Sequence, residues 1–123
     1  MTYNKLVPDL LKEFINVSKL QESYRELVSW TEPSPHIVFG DVLLENFLLD
    51  ELLTMENKEL IRKVFCFFEK MANSEDEDIR GVLTATVLER LGDDKDILKK
   101  ARSFMGSKTL ELSHQVEKAL GRE

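Results

Sequence analysis

The segment Met105-Gly106-Ser107-Lys108-Thr109 contains Gly-Ser-Lys-Thr, close to the end of a nucleotide phosphate loop. Such a loop turns several backbone N–H groups toward phosphate and adds a lysine charge. It requires the spacing G-x-x-x-x-G-K-[ST] after a strand. The upstream glycine is missing here and the preceding residues read as helix, so the segment is expected to close one helix at Gly106 and open another at Ser107. Glu111-Leu112-Ser113-His114 has the Glu-x-x-His spacing used in di-iron bundles. That chemistry needs a second copy and two further inward glutamates. The other histidine, His36, falls in a proline-rich loop, so no metal ligand is expected. Cys66 would need an adjacent base and some exposure to act as a nucleophile. Its phenylalanine neighbours make a buried, inert thiol the expectation. The many carboxylates fall on helix first turns and outer faces, where solvated charge is the ordinary state. No set of residues meets the requirements of an active site, so neither catalysis nor a cofactor is expected.

The elements that would position these groups are helical. Residues 57–91 organise the chain as two antiparallel helices. Leu60, Ile61, Val64, Phe65, Phe68 and Met71 make one wide stripe at helical period, and Phe67 widens it enough for two neighbours. Ser74 and Glu77 have the spacing of a capping box, and Glu75 to Asp78 place four carboxylates in a first turn, where the helix dipole favours them. Ile79, Val82, Leu83, Thr86, Val87 and Leu91 form the next stripe, and Gly92 is expected to stop it in a left-handed turn.

Upstream, Leu6, Val7, Leu10, Leu11, Phe14 and Ile15 predict a first helix with Pro8 in its opening turn. Ser18 is a candidate cap for a second helix carrying Leu20, Tyr24, Leu27 and Val28. Thr31 to His36, with Pro33 and Pro35, reads as an extended loop flanked by Trp30 and Phe39. From Gly40 or Asp41 to Leu53 the chain is apolar nearly all round, which predicts the most buried helix. After Gly92, Asp93 or Asp94 should cap a short helix with Lys95, Lys99, Lys100 and Arg102 on its outer face. A last helix begins at Ser107, turns Leu110, Val116, Ala119 and Leu120 inward, and stops at Gly121. The expected fold is all-α, one domain of about seven short helices over residues 1–123. The helices form a bundle or HEAT-like stacked helix pairs.

The length suits one domain with a proper core. A single cysteine forbids an internal disulfide and fits a reducing cytoplasm. No signal peptide is visible, and no apolar run approaches the ~20 residues of a membrane span. The net charge is −6, and residues 1–56, with four bases and ten acids, carry all of it. That balance disfavours direct nucleic-acid binding and favours a basic partner.

Four phrases go further than composition: His36-Ile37-Val38-Phe39-Gly40-Asp41-Val42-Leu43, Phe68 to Asp76, Val87 to Asp94, and Ala101 to Thr109. Together, over residues 36–121, they resemble small all-helical bacterial immunity proteins of toxin–immunity loci, including contact-dependent growth-inhibition systems. The resemblance implies a cytoplasmic protein that neutralises a cognate toxin domain, such as a basic nuclease, by stoichiometric 1:1 binding. The other expectation from the residues is a helical adaptor for a protein or peptide unrelated to a toxin. The resemblance carries over no contact residue. Charge and aromatic placement instead nominate Trp30, Glu32, His36, Asp41, Glu45, Asp50 and Glu51, with Glu75, Asp76 and Asp78 as a second group.

Overall fold

The apolar stripes become seven helices and no strand in the computed structural model, which describes residues 1–123. Helix α1 spans Leu6–Glu13 and α2 spans Ser18–Val28. Helix α3 is one continuous rod built from Pro35–Ile37, Val38–Leu48 and Leu49–Thr54. Helix α4 is Lys58–Ala72. Helix α5 runs through Glu77–Gly81, Val82–Leu88 and Glu89–Leu91. Helices α6, Lys95–Arg102, and α7, Ser107–Ala119, complete the bundle.

The middle of α3 and of α5 is wound as π-helix, and the two wide stretches pack against each other. At the end of the first stretch the Leu49 N–H donates to the carbonyl of Leu44, five residues back. Such winding is rare and hydrogen-bonds residues five apart instead of four, which widens the turn. Eight residues of the α3 π stretch are buried, which makes it the heart of the core as the sequence predicts. Helix α3 packs on α2, α5 and α6, while α7 packs on α4 and α5.

The double-sided stripe of α4 joins the two halves of the core. Phe67 meets Phe14 edge-on, with ring centroids 6.3 Å apart, and Phe39 at the same distance. Phe65 packs at right angles to Phe68 and stacks on Phe104. The α4 helix thus ties the end of α1 and the start of α3 to the segment after α6. The exposed carbonyls at the end of α1 are also satisfied. Gln21 donates to Leu11 and Phe14, and Lys63 donates to Glu13 while lying 5.2 Å from the Phe14 ring centre.

Several local expectations are corrected. Helix α3 begins at Pro35 and not at Gly40, because Ser34 accepts a hydrogen bond from the Ile37 N–H and proline suits the first helical position. His36 therefore sits in a helical first turn and not in a loop. Ser18 lies inside α2, with Val17 as its cap residue. Asp76, not Ser74, caps α5: it accepts from the Asp78 N–H, while the Ser74 hydroxyl accepts from the Asp76 N–H. Glu77 points to solvent and closes no capping box. Cys66 is exposed, because the stripe buries Phe65 and Phe67 on either side and turns residue 66 outward with Arg62 and Lys63. Gly92 is not left-handed (φ −78°), whereas Gly121 is (φ 71°), as expected of a helix stop.

Helix α7 also departs from the predicted stripe. Ala119 and Leu120 are exposed, and the buried positions are Thr109, Ser113 and Glu117. These lie four residues apart, so the inward face of α7 is a polar stripe in which each member meets a charged partner. Gly92 is explained by this face. A Cβ at residue 92 would press into the Glu117 carboxylate and the Arg122 guanidinium, so the glycine permits close approach. Gly92→Ala is expected to destabilise by about 1–3 kcal/mol through overpacking. Gly81→Ala, where an added Cβ meets nothing within 4 Å, is expected to stabilise by about 0.4–1 kcal/mol. Paired urea titrations compare the two directly.

Candidate functional site

Helix α2 lies against the π-wound part of α3, and the seam between them opens into a groove of about 390 Å³. Leu20 and Leu27 anchor the inner face of α2. Above them the groove is lined by Ser23, Glu26, Leu27, Trp30, Asp41, Val42 and Asn46. Asn46 donates to the Ser23 hydroxyl at 2.8 Å and ties the walls together. Asp41 and Asn46 are five residues apart, so the π winding places both on this seam. Trp30 stands at one end with 73 % of its surface exposed, the most exposed large apolar side chain of the protein. Phe39, on the other flank of the proline-containing segment, is by contrast fully buried.

Acidic groups surround this end. Glu26 and Asp41 line the groove, Glu32 is exposed on the loop after Trp30, and Glu45 follows one turn after Asp41. Arg90 from α5 reaches across Gly40 and lies 3.4 Å from Asp41 and 3.6 Å from Glu45. One guanidinium thus organises two carboxylates and leaves a net negative charge. Both carboxylates remain more than half exposed, so the contact orients them with little energetic weight.

The remaining nominated residues separate into other places. Asp50 pairs with Lys19 at 3.1 Å, and Glu51 is half-buried near the end of α3. His36 binds the Thr86 hydroxyl at 2.6 Å, which pins the start of α3 to α5. Glu75 and Asp76 line a different cleft with Met1, Thr2, Lys70 and Ser74, and Asp76 and Asp78 serve the α5 cap. The structure therefore sets Trp30 and Asp41 in one groove, joins Glu45 to Asp41 through Arg90, keeps Glu32 on the adjoining loop, and leaves the others apart. Ser23, Glu26, Val42 and Asn46 join the groove without having been nominated. For Asn46 the signal lay in its five-residue spacing from Asp41 on α3, which a 3.6-residue reading does not reveal; Ser23 and Glu26 come from α2.

The segments that looked chemical are engaged in structure. The start of α7 does hold an anion, and the anion is the Glu69 carboxylate of α4. Glu69 accepts from the Lys108 N–H at 3.1 Å, the Thr109 N–H at 2.8 Å and the Thr109 hydroxyl at 2.7 Å. A Cβ at Gly106 would strike this carboxylate, so the glycine is needed for the approach. Burial disfavours the charged form of Glu69. The hydrogen bonds from Thr109, Lys108 and Asn73 outweigh burial and hold its pKa below the ordinary carboxylate value. With the folded value lowered, the stabilisation is present above the ordinary value of about 4.5 and is lost as pH falls through the folded one. Glu69→Gln is therefore expected to be less stable than the parent at neutral pH and to lose less stability on acidification. Thermal melts across that range test both signs.

His114 binds the Glu123 carboxylate at 2.7 Å, not a partner of Glu111, whose carboxylate lies by Lys108 and Gln115. That hydrogen bond, against some burial and with help from Arg102, holds Glu123 below the ordinary carboxylate range. Arg102 also donates to Ser113. Glu117 is clasped from both oxygens by Arg122, at 2.9 and 2.7 Å, which raises the guanidinium's pKa; Asp93 completes the cluster at 2.9 Å.

No helix is long and apolar enough to cross a membrane. A family model described as a domain of unknown function, DUF7674, matches residues 7–121. No curated protein and no solved structure matches significantly.

Proposed function

The chain belongs to the DUF7674 family, and we propose that it is a binding protein that neutralises a cognate toxin domain by forming a 1:1 complex with it in the cytoplasm. The observation that carries this reading is Trp30: a tryptophan standing in solvent beside a groove with acidic walls. Tryptophan is enriched among residues that dominate binding energy, because it buries much area at small conformational cost. Acidic groups around it steer a basic surface into register and raise the association rate. The charge balance supports the same polarity of partner, since residues 1–56 carry the whole net charge of −6. The resemblance of residues 36–121 to immunity proteins supplies the class of partner, a toxin domain that is basic where its substrate is nucleic acid.

The test is growth. The product of the gene immediately upstream is induced in a host with and without this protein. Growth restored only by this protein supports the proposal, and the double charge reversal of Asp41 and Glu45 to lysine should then weaken rescue. A harmless upstream product would instead favour an adaptor for a protein or peptide unrelated to a toxin.

A further inference from the structure

The seam between α2 and α3 is a ladder of matched pairs except at its open end. Lys19 of α2 faces Asp50 of α3 as an ion pair at 3.1 Å. Four residues on along α2 and four back along α3, Asn46 meets Ser23 at 2.8 Å. One more such step brings Leu27 and Val42 into the wall of the groove. Beyond them the matching fails. Glu26 and Trp30 of α2 share the groove with Asp41 of α3, and no lysine, arginine or histidine lines it. Two carboxylates on opposite walls repel each other, and a cation between them relieves the repulsion.

The chain's own bases are engaged or directed elsewhere. Lys19 is held by Asp50 at the far end of the seam. Arg90 reaches Asp41 Oδ1 from α5 and forms no part of the groove wall. Arg25 precedes Glu26, about 100° round the helix, and also lies outside the wall. The Glu26 carboxylate, unlike those of Asp41 and Asp50, has no partner within the chain. The Asn46 amide nitrogen is used on Ser23, which leaves the Asn46 oxygen as a third acceptor in the wall. The groove thus offers acceptors, negative charge and an exposed indole at one end.

A guanidinium matches all three. It is planar and weakly hydrated, so it stacks on an aromatic face, and its fork of N–H donors serves two carboxylates at once; an ammonium is a compact, strongly hydrated point charge. We infer that the groove receives an arginine side chain of the toxin partner, with the guanidinium stacked on Trp30 and donating to Glu26 and Asp41. That the arginine belongs to a toxin rests on the function just proposed; the recognition of arginine rests on the groove alone.

Three blocked tripeptides, with arginine, lysine or citrulline between two glycines, are titrated into the full chain at matched ionic strength. Trp30 is the only tryptophan, so its indole N–H resonance and its fluorescence both report on the groove. Saturable shifts of these signals and of the amides of residues 23–30 and 41–46 are expected with the arginine peptide. Lysine lacks the planar fork, and citrulline keeps the shape without the charge. Each should bind at least about tenfold more weakly. Glu26→Gln and Asp41→Asn should each weaken the arginine peptide about tenfold, as for the loss of a charge-assisted hydrogen bond, while Glu111→Gln on α7 should leave it unchanged. All three carboxylates are exposed, so the variants should fold, and their amide spectra check this. Absence of saturation, an equal response to lysine or citrulline, or binding that survives both substitutions overturns arginine recognition. Growth rescue by a protein that binds none of the peptides keeps the toxin function and discards the arginine. Arginine binding by a protein that rescues no growth does the reverse.

Discussion

Phe67→Ala is expected to cost about 3–5 kcal/mol of folding stability, the usual penalty for emptying a buried phenylalanine site. The ring is 4 % exposed and touches Phe14 at the end of α1 and Phe39 in α3. Removing it deprives two elements of their shared contact with α4, so the surroundings cannot collapse from one side alone. Domains of this size have about 5–15 kcal/mol in total, so the variant should unfold at a much lower urea concentration. Leucine in place of alanine should recover part of the loss by restoring volume. A midpoint unchanged from the parent would mean that α1 is held chiefly by Gln21 and Lys63 and not by the aromatic joint.

Trp30→Ala should act oppositely, on binding and not on folding. Truncating a central tryptophan anchor typically costs about 2 kcal/mol or more, which is roughly 30-fold in Kd. Its 73 % exposure means that folding stability should stay within about 0.5 kcal/mol of the parent. The measurement is calorimetric titration of parent and variant with the cognate toxin domain. Trp30 is the only tryptophan, so its fluorescence reports the same event. Emission typical of a water-exposed indole should shift to shorter wavelength when the partner covers it. An unchanged affinity together with unshifted emission would remove this end of the groove from the interface.

Most of the architecture was legible because the apolar positions repeat at helical period. The stripes of α4 and α5 emerge where the spacing puts them, those of α1 and α2 do so except at Ile15 and Val28, which are exposed, and the nearly all-apolar run from Gly40 is the buried centre. The misses have separate physical causes. Pro35 looked like a loop residue because proline is compatible with both an extended segment and a first helical turn; the Ser34 cap decided between them. Cys66 looked buried because its neighbours are, yet adjacent residues on a helix point about 100° apart. Helix α7 was misread because Ala119 and Leu120 suggest an inward face, while its polar members find charged partners far away in sequence: Glu69 for Thr109 and Arg102 for Ser113. Such pairings leave no periodic trace. In the groove, Trp30 and Asp41 followed from type and charge, as did Glu45 beside it. Asn46 needed the π winding, which the sequence pattern does not announce.

The Glu69 contact changes what a sequence motif means in this chain. Four letters, Gly-Ser-Lys-Thr, specify a receptor for negative charge without specifying its occupant. Here the occupant is encoded 39 residues before the Lys108 amide that receives it and is delivered by the fold. A ligand carried on the same chain binds intramolecularly, at an effective concentration set by the chain and not by the solution. Receptor and ligand have become one intramolecular lock between α4 and α7, and what resembled a binding loop serves as a fastening.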